Sequence, residues 1–146
     1  MSAARGAHLD EVFPTLPFAP LKGEGAWLED AEGRKVLDFY GGHAVAALGY
    51  GHPRLTEAIC RQASTLLFQS NILPLAVRHE AAEKLARFAP EGLDRVFFVN
   101  SGAEANENAL RVALTLTGRP KVVAVEHGFH GRTAGAGAAT WGAKQW

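Results

Sequence analysis

The chain of 146 residues has little of several features that mark particular protein classes. A single cysteine, Cys60, excludes a disulfide framework and a cysteine-rich zinc site. Its 15 basic and 15 acidic residues cancel, so no net positive charge attracts nucleic acid or an anionic membrane surface. No apolar run approaches the roughly 18 residues that a membrane-spanning helix needs. We therefore expect neither a nucleic-acid nor a membrane partner.

The remaining composition is typical of a soluble globular domain. Hydrophobic residues make up 47% of the chain and charged residues 21%, which excludes charge-rich intrinsic disorder. The first residues, from Met1 to His8, contain no apolar stretch followed by a cleavage site. A secretory signal peptide is not expected there, and we predict a cytoplasmic location.

The N-terminal part of the chain predicts an extended arm followed by a hairpin. Residues 9–25 favour extended backbone because proline restricts the residue before it. The prolines concerned are Pro14, Pro17 and Pro20. Two apolar runs, 25–30 and 34–39, flank a turn with Asp30 and Gly33, which predicts a β-hairpin. The glycine-rich segment that follows predicts a flexible loop.

Two amphipathic helices are predicted next. Pro53 suits the first position of a helix, and apolar residues three and four apart continue that helix to about Leu67. A second helix is predicted from about Leu75 to Phe88, where Pro90 and Gly92 end it.

The following stretch predicts a βαβ unit. The continuous apolar runs 96–99 and 121–125 are typical of strands covered on both faces. Between them, Ser101 and Glu104 match the capping box that starts a helix, and Gly118 ends it. Such a unit joins two parallel strands through a right-handed crossover. The pattern predicts an α/β fold with a mostly parallel sheet.

The start of this third helix is a candidate anion site. Gly102 and Ala103 offer backbone amides just past the carboxyl end of the predicted strand, where the helix dipole favours a phosphate. A capped helix without a ligand explains the same residues, because capping boxes are common. No Walker-type lysine follows, and Gly135–Gly137 lacks the third glycine of a dinucleotide fingerprint.

A second polar cluster, residues 126–133, follows the next predicted strand. His127 and His130 are candidate metal ligands, but no third ligand matches them, and we predict no metal site. Phe129 is either a core residue or a flat platform for a ligand ring. Arg132 is either a solvated surface charge or a clamp for both oxygens of a carboxylate. Spacing alone leaves these alternatives open.

Several motifs in the same order resemble class III pyridoxal-phosphate aminotransferases, most closely the acetylornithine or succinylornithine branch. The matching segments are 37–45, 48–53, 100–110 and 129–133, together with Ser70 and Asn71 before a helix. The resemblance spans roughly Phe13 to the end of the chain. It implies transfer of the δ-amino group of N-acetylornithine or N-succinylornithine to 2-oxoglutarate, in arginine metabolism, in either the biosynthetic or the catabolic direction.

The resemblance also implies pyridoxal 5'-phosphate as the cofactor and assigns roles to five residues. Gly102 and Ala103 would donate backbone amides to the cofactor phosphate. Ser101 would be the cap beside them and add its hydroxyl. Phe129 would stack on the pyridine ring, and Arg132 would hold the α-carboxylate of the substrate. The implied partners are amino-acid and 2-oxo-acid substrates and a second copy of the chain in a homodimer.

The fold implied is fold type I. Residues 1–53 would form the arm and hairpin of the small domain, and residues 54–146 the beginning of the large cofactor-binding domain. The segments around Gly41, Gly42, Ser70 and Asn71 would lie near the dimer interface and the active-site entrance.

The lysine that bonds the cofactor in this family, and the aspartate that pairs with the pyridine nitrogen, are expected beyond position 146. None of the lysines present stands in the family's lysine motif, so no catalytic residue is assigned. We therefore expect this chain to be an inactive N-terminal fragment of an enzyme.

Two alternatives remain. One is another class III ω-aminotransferase, acting on ornithine, 4-aminobutyrate or a carrier-bound lysine. The other is a non-catalytic phosphate-binding α/β module. His43 in its glycine-rich context and Arg132 favour the acylornithine branch.

Overall fold

A computed structural model describes His8 and residues 15–142. The chain divides into two compact units, Met1–Leu73 and Pro74–Trp146. The domain boundary expected after residue 53 concerns the whole enzyme and stays a prediction. The part of the predicted arm before residue 15 lies outside the described residues.

The first unit contains a three-stranded antiparallel sheet. Its strands are β1 (Pro20–Glu24), β2 (Trp27–Asp30) and β3 (Lys35–Leu37), in that spatial order. β2 and β3 form the predicted hairpin, with Leu28 opposite Val36. The end of the predicted arm is a paired strand, β1, because the backbone groups of β2 on that side need hydrogen-bond partners.

The predicted turn residues close the hairpin. Asp30 is 5% exposed, and its carboxylate accepts the backbone amide of Arg34 at 2.8 Å and the Nε of Arg34 at 2.9 Å. Gly33 has a φ of 79°, which favours glycine. Asp30 and Gly33, the two residues on which the turn prediction rests, therefore stabilise the turn.

The predicted flexible loop contains a defined turn, α1 (Gly41–Ala44), whose four residues all have φ between 55° and 63°. Such left-handed backbone costs about 1–2 kcal/mol for each residue with a side chain. Asp38 stabilises the start of the turn by accepting the amides of Tyr40 at 2.8 Å and Gly41 at 2.9 Å. The hydroxyl of Tyr50, 2.5 Å from the same carboxylate, is the main cause that lowers the pKa of Asp38, and the two amides add to it.

Four longer elements follow. The first unit ends with α2 (Pro53–Thr65), which confirms the helix predicted at Pro53 and ends two residues earlier. The second unit contains α3 (Ala76–Phe88), α4 (Gly102–Thr117) and α5 (Ala134–Ala139), and α5 packs against α4. The predictions of α3 and α4 are confirmed, and Gly118 ends α4 with a φ of 64°. The short helix α5 was not predicted.

The two strands predicted in the second unit do not form. Residues 96–99 and 121–125 are neither strand nor helix, and no described segment pairs with them. A strand exists only where a neighbour completes its hydrogen bonds. Their apolar side chains remain exposed, with Phe97 at 72% and Val123 at 97%. The βαβ prediction is therefore correct for its helix and wrong for its strand pairing within the described residues.

The exposed apolar side chains predict how this chain behaves on its own. Burying apolar surface is favourable by about 25 cal/mol per Å², so residues 1–146 produced alone should self-associate. Light scattering after size-exclusion chromatography should show oligomers or aggregates, and heating should show no sharp transition. A monodisperse monomer with a cooperative transition would contradict the prediction.

Candidate active site

Four of the five residues assigned to the site by resemblance line one pocket of the second unit. The pocket has a volume of about 510 Å³ and lies between the start of α4 and the loop before α5. Its lining residues are Gly102, Ala103, Asn106, Phe129, His130, Gly131, Arg132 and Thr133. Ser101 is the N-cap residue directly before α4. The structure therefore brings the helix start together with an aromatic ring and a guanidinium.

The start of α4 has the predicted cap and room for a ligand. Ser101 Oγ accepts the amide of Glu104 at 3.1 Å, whereas the Glu104 carboxylate accepts the amide of Asn100 at 2.6 Å, one residue before the position a capping box uses. The amides at the start of a helix have no acceptor within the helix, which suits them to an anion. A Cβ added at Gly102 would meet no heavy atom within 4 Å. The space beside Gly102 is open to a bound group.

The loop that carries Phe129 and Arg132 is fixed through its backbone. Asn106 Nδ2, on α4, donates to the carbonyl oxygen of His130 at 2.6 Å. The hydroxyl of Thr140, which is 6% exposed, accepts the amide of His130 at 2.9 Å and donates to the carbonyl oxygen of Gly131 at 2.9 Å. These bonds define the loop position from both sides.

Gly131 makes the closest approach between the loop and α4. Its φ is 131°, and an added Cβ would lie 2.6 Å from Ala103 Cβ and 2.9 Å from Ala103 Cα. Distances that short are far below van der Waals contact, so only glycine allows this packing. The loop therefore lies directly against the helix start.

Glu107 fixes the other end of the loop. Its Oε2 accepts the hydroxyl of Thr133 at 2.6 Å and the amides of Gly135 at 2.8 Å and Ala136 at 3.0 Å. The Thr133 hydroxyl foremost, then the two amides and the charge of Arg111, hold the pKa of Glu107 below its usual value. A lowered pKa means that this stabilisation is present at neutral pH and is lost as the pH falls through the folded-state value.

Two side chains of the pocket have the exposure that their predicted roles require. Phe129 is 60% exposed, so its ring is accessible to a ligand. Arg132 is exposed. The stacking role of Phe129 and the carboxylate-binding role of Arg132 stay predictions.

The described residues offer neither a cluster of metal ligands nor a membrane-spanning helix. Within the described residues, no group of three or more His, Cys, Asp or Glu side chains could hold a metal ion. The ring of His127 packs against Trp141, with the ring centres 4.2 Å apart. None of the helices that the structure describes is long and apolar enough to cross a membrane.

Sequence reasoning missed the residues that hold the loop in place. Asn106, Glu107 and Thr140 were not singled out, because the partners of Asn106 and Glu107 lie 24 to 29 residues away along the chain. The sequence did contain a signal for the start of helix α5. Thr133 precedes an alanine-rich run, and threonine is a favoured residue just before a helix.

The chain is similar to known proteins over most of its length. The family model described as aminotransferase class-III matches residues 10–146. The acetylornithine aminotransferase of Streptomyces coelicolor is 48% identical over 128 residues, which are 87% of this chain and 31% of that protein. A LysW-aminoadipate semialdehyde transaminase of Deinococcus radiodurans is 41% identical over 121 residues, which are 83% and 28%. The chain therefore spans about a third of the length of these curated relatives.

Two solved structures have the same fold as this chain over most of its length. A phospholyase from Arthrobacter, in complex with phosphoethanolamine, has a TM-score of 0.81 and 35% identity, covering 89% of this chain and 30% of that one. A transaminase with L-alanine has a TM-score of 0.79 and 27% identity, covering 84% and 31%. The predicted α/β fold of fold type I is confirmed, as a partial segment of it.

The close approach of Gly131 to Ala103 gives a testable prediction. In the full-length, cofactor-free protein, Gly131→Ala should lower the free energy of unfolding by about 1–3 kcal/mol, the usual range for overpacking. Gly92→Ala is the matched control, because Gly92 also has a positive φ, 87°, but an added Cβ there meets no atom within 4 Å. Urea unfolding followed by circular dichroism measures both. Equal losses for the two variants would show that the contact with Ala103 is not tight.

Proposed function

The chain belongs to the class III aminotransferase family, and from that premise we propose that the whole protein is a pyridoxal-phosphate-dependent transaminase. It moves the δ-amino group of N-acetylornithine or N-succinylornithine to 2-oxoglutarate. Curated relatives named acetylornithine aminotransferase, 40–48% identical to this chain, support the substrate assignment. The observation that carries the proposal is the pocket in which the start of α4 meets Phe129 and Arg132.

The residues of the pocket fit pyridoxal phosphate. The open space beside Gly102, at the start of a helix, suits a dianionic phosphate. The exposed ring of Phe129 suits a flat aromatic group. When bound, the cofactor supplies the electron sink that amino-group transfer requires.

We propose the following roles for the side chains and amides of this chain. The amides of Gly102 and Ala103 donate to phosphate oxygens, next to the Ser101 cap. The ring of Phe129 lies against the pyridine ring and excludes water from that face. The Arg132 guanidinium donates two parallel hydrogen bonds to the α-carboxylate of the substrate, which fixes the direction of the reacting end. We place the cofactor-bonding lysine outside these 146 residues.

A second candidate function has support from one relative. The Deinococcus radiodurans protein named LysW-aminoadipate semialdehyde transaminase favours an enzyme acting on a carrier-bound lysine precursor. Comparing kcat/KM of the full-length enzyme for N-acetylornithine, N-succinylornithine, ornithine, 4-aminobutyrate and the carrier-bound substrate separates the candidates. We propose N-acylornithine as the preferred substrate, in a cytoplasmic homodimer.

Gly102 tests the phosphate site. In the full-length protein, Gly102→Val should weaken cofactor binding, because a branched side chain would fill the space that the phosphate needs. The cofactor-free protein should lose little stability, since a Cβ at Gly102 contacts nothing within 4 Å. Fluorescence titration with pyridoxal phosphate measures the affinity, and thermal unfolding without cofactor is the control. Unchanged affinity would leave Gly102 as part of a capped helix only.

Arg132 tests the substrate assignment. Losing a charge-assisted hydrogen-bonded pair costs about 1.5–3 kcal/mol, or roughly ten- to a hundred-fold in kcat/KM. In the full-length enzyme, Arg132→Ala should cause such a loss for both N-acetylornithine and glutamate. Arg132→Lys should lose less, because lysine keeps the charge without the paired donors. Stopped-flow kinetics of each half-reaction measures the effect, and cofactor affinity should barely change.

The control for Arg132 is an amine substrate that lacks the α-carboxylate. Its rate should be insensitive to both Arg132 variants, because it has no carboxylate to lose. Similar losses for this amine and for N-acetylornithine would rule out the clamp and make Arg132 a structural residue of its loop.

A further inference from the structure

Glu107 lies on α4 about one turn beyond Gly102 and Ala103, the residues at the phosphate end of the pocket. A single oxygen of its carboxylate accepts all three hydrogen bonds from the chain around the start of α5. The first donor, the hydroxyl of Thr133, belongs to the residue immediately after Arg132. Helix α4 therefore carries Gly102 and Ala103 and, through Glu107, also fixes the backbone next to the Arg132 guanidinium.

The start of α5 depends on this carboxylate. Thr133, its N-cap residue, makes no side-chain capping hydrogen bond to its own helix. The amides of Gly135 and Ala136 are satisfied instead by Glu107, from another helix. Hydrogen bonds to an ionised acceptor are stronger than those between neutral groups. An added Cβ at Gly135 would lie only 3.0 Å from Glu107 Oε1, so the carboxylate lies directly against the backbone of α5.

Two further contacts with α4 lie on the other side of Arg132 along the loop. Asn106 binds the backbone of His130, and Gly131 packs on Ala103. Thr140 also binds the loop at His130 and Gly131. Arg132 therefore lies between a part of the loop fixed by these contacts and a part fixed by Glu107.

We infer that Glu107 is a positioning residue, which sets the place of the Arg132 guanidinium relative to the phosphate end of α4 and so governs binding of the substrate carboxylate. The inference rests on the proposed function for the role of Arg132, and on geometry alone for the role of Glu107 in the loop. A displaced guanidinium makes weaker hydrogen bonds to a carboxylate, and losing such a charge-assisted pair altogether weakens binding roughly ten- to a hundred-fold. Glu107 touches neither substrate nor cofactor in this account.

The test uses four variants of the full-length protein. Glu107→Gln removes the charge and keeps the shape, Thr133→Val removes only the hydroxyl donor, and the double variant combines them. Glu80→Gln is the matched control, because Glu80 is an exposed glutamate on α3 that pairs with Lys84 at 2.6 Å. Hydrogen exchange of the segment 127–141 is measured by mass spectrometry on the cofactor-free protein. It shows how firmly the loop is held and does not depend on enzyme activity.

Steady-state kinetics tests whether the Arg132 guanidinium still binds the substrate carboxylate. For glutamate and 2-oxoglutarate, Glu107→Gln should raise KM by up to roughly a hundred-fold, the cost of losing a charge-assisted pair. It should leave kcat much less changed, because carboxylate binding acts equally on ground and transition states. An amine without the α-carboxylate should keep its KM. Because Glu107 and Thr133 share one hydrogen bond, the double variant should lose less than the sum of the two single losses.

Exchange in the segment 127–141 should be faster in Glu107→Gln than in the native protein and in Glu80→Gln. Unchanged exchange would overturn the inference, whatever the enzyme's activity. Faster exchange with unchanged KM for both carboxylate substrates would overturn it as well, because Glu107 would then be structural only. Absence of transaminase activity in the native protein would refute the proposed function, and the exchange result would still decide whether Glu107 holds the loop.

Discussion

Gly131 lies so close to Ala103 that no side chain fits between them, and the candidate site depends on this contact. It brings the backbone of one loop against the first turn of α4, where the helix amides and the positive end of its dipole are found. Phe129 and Arg132 flank that glycine by one or two residues. The helix start proposed to bind a phosphate and the side chains proposed to bind a ring and a carboxylate therefore share one pocket.

Each of the two units contains a short segment whose first backbone amides bond to a carboxylate from outside that segment. The first unit contains the left-handed turn α1 and the second contains the short helix α5, and neither has a side-chain cap of its own. In each case a carboxylate from outside the segment accepts its first amides, Asp38 at α1 and Glu107 at α5. Both carboxyl groups have lowered pKa values, as expected for acceptors of several hydrogen bonds. Both short segments thus begin at hydrogen bonds to a carboxylate.

The sequence predicts those parts of the structure that depend on local signals. Pro53, the serine cap of α4 and Gly118 place helix ends because each acts on its own neighbours. Residues 96–99 and 121–125 do not form the predicted strands. A strand needs a neighbouring strand to complete its hydrogen bonds, and the apolar pattern of a segment does not say whether that neighbour is present. Glu107 was missed for a similar reason: its hydrogen bonds link residues far apart in the chain. Gly102 and Ala103 follow from the helix start, whereas the roles of Phe129 and Arg132 follow from the resemblance. The structure adds that all four residues line one pocket.

The most direct test of this account is a crystal structure of the full-length protein grown with pyridoxal phosphate and glutamate. We expect phosphate oxygens within hydrogen-bond distance of the amides of Gly102 and Ala103, and the cofactor ring against Phe129. The carboxylate of glutamate should pair with Arg132, and the loop should still pack on α4 at Gly131. A phosphate bound away from the start of α4, or a loop that has separated from Ala103, would contradict the account.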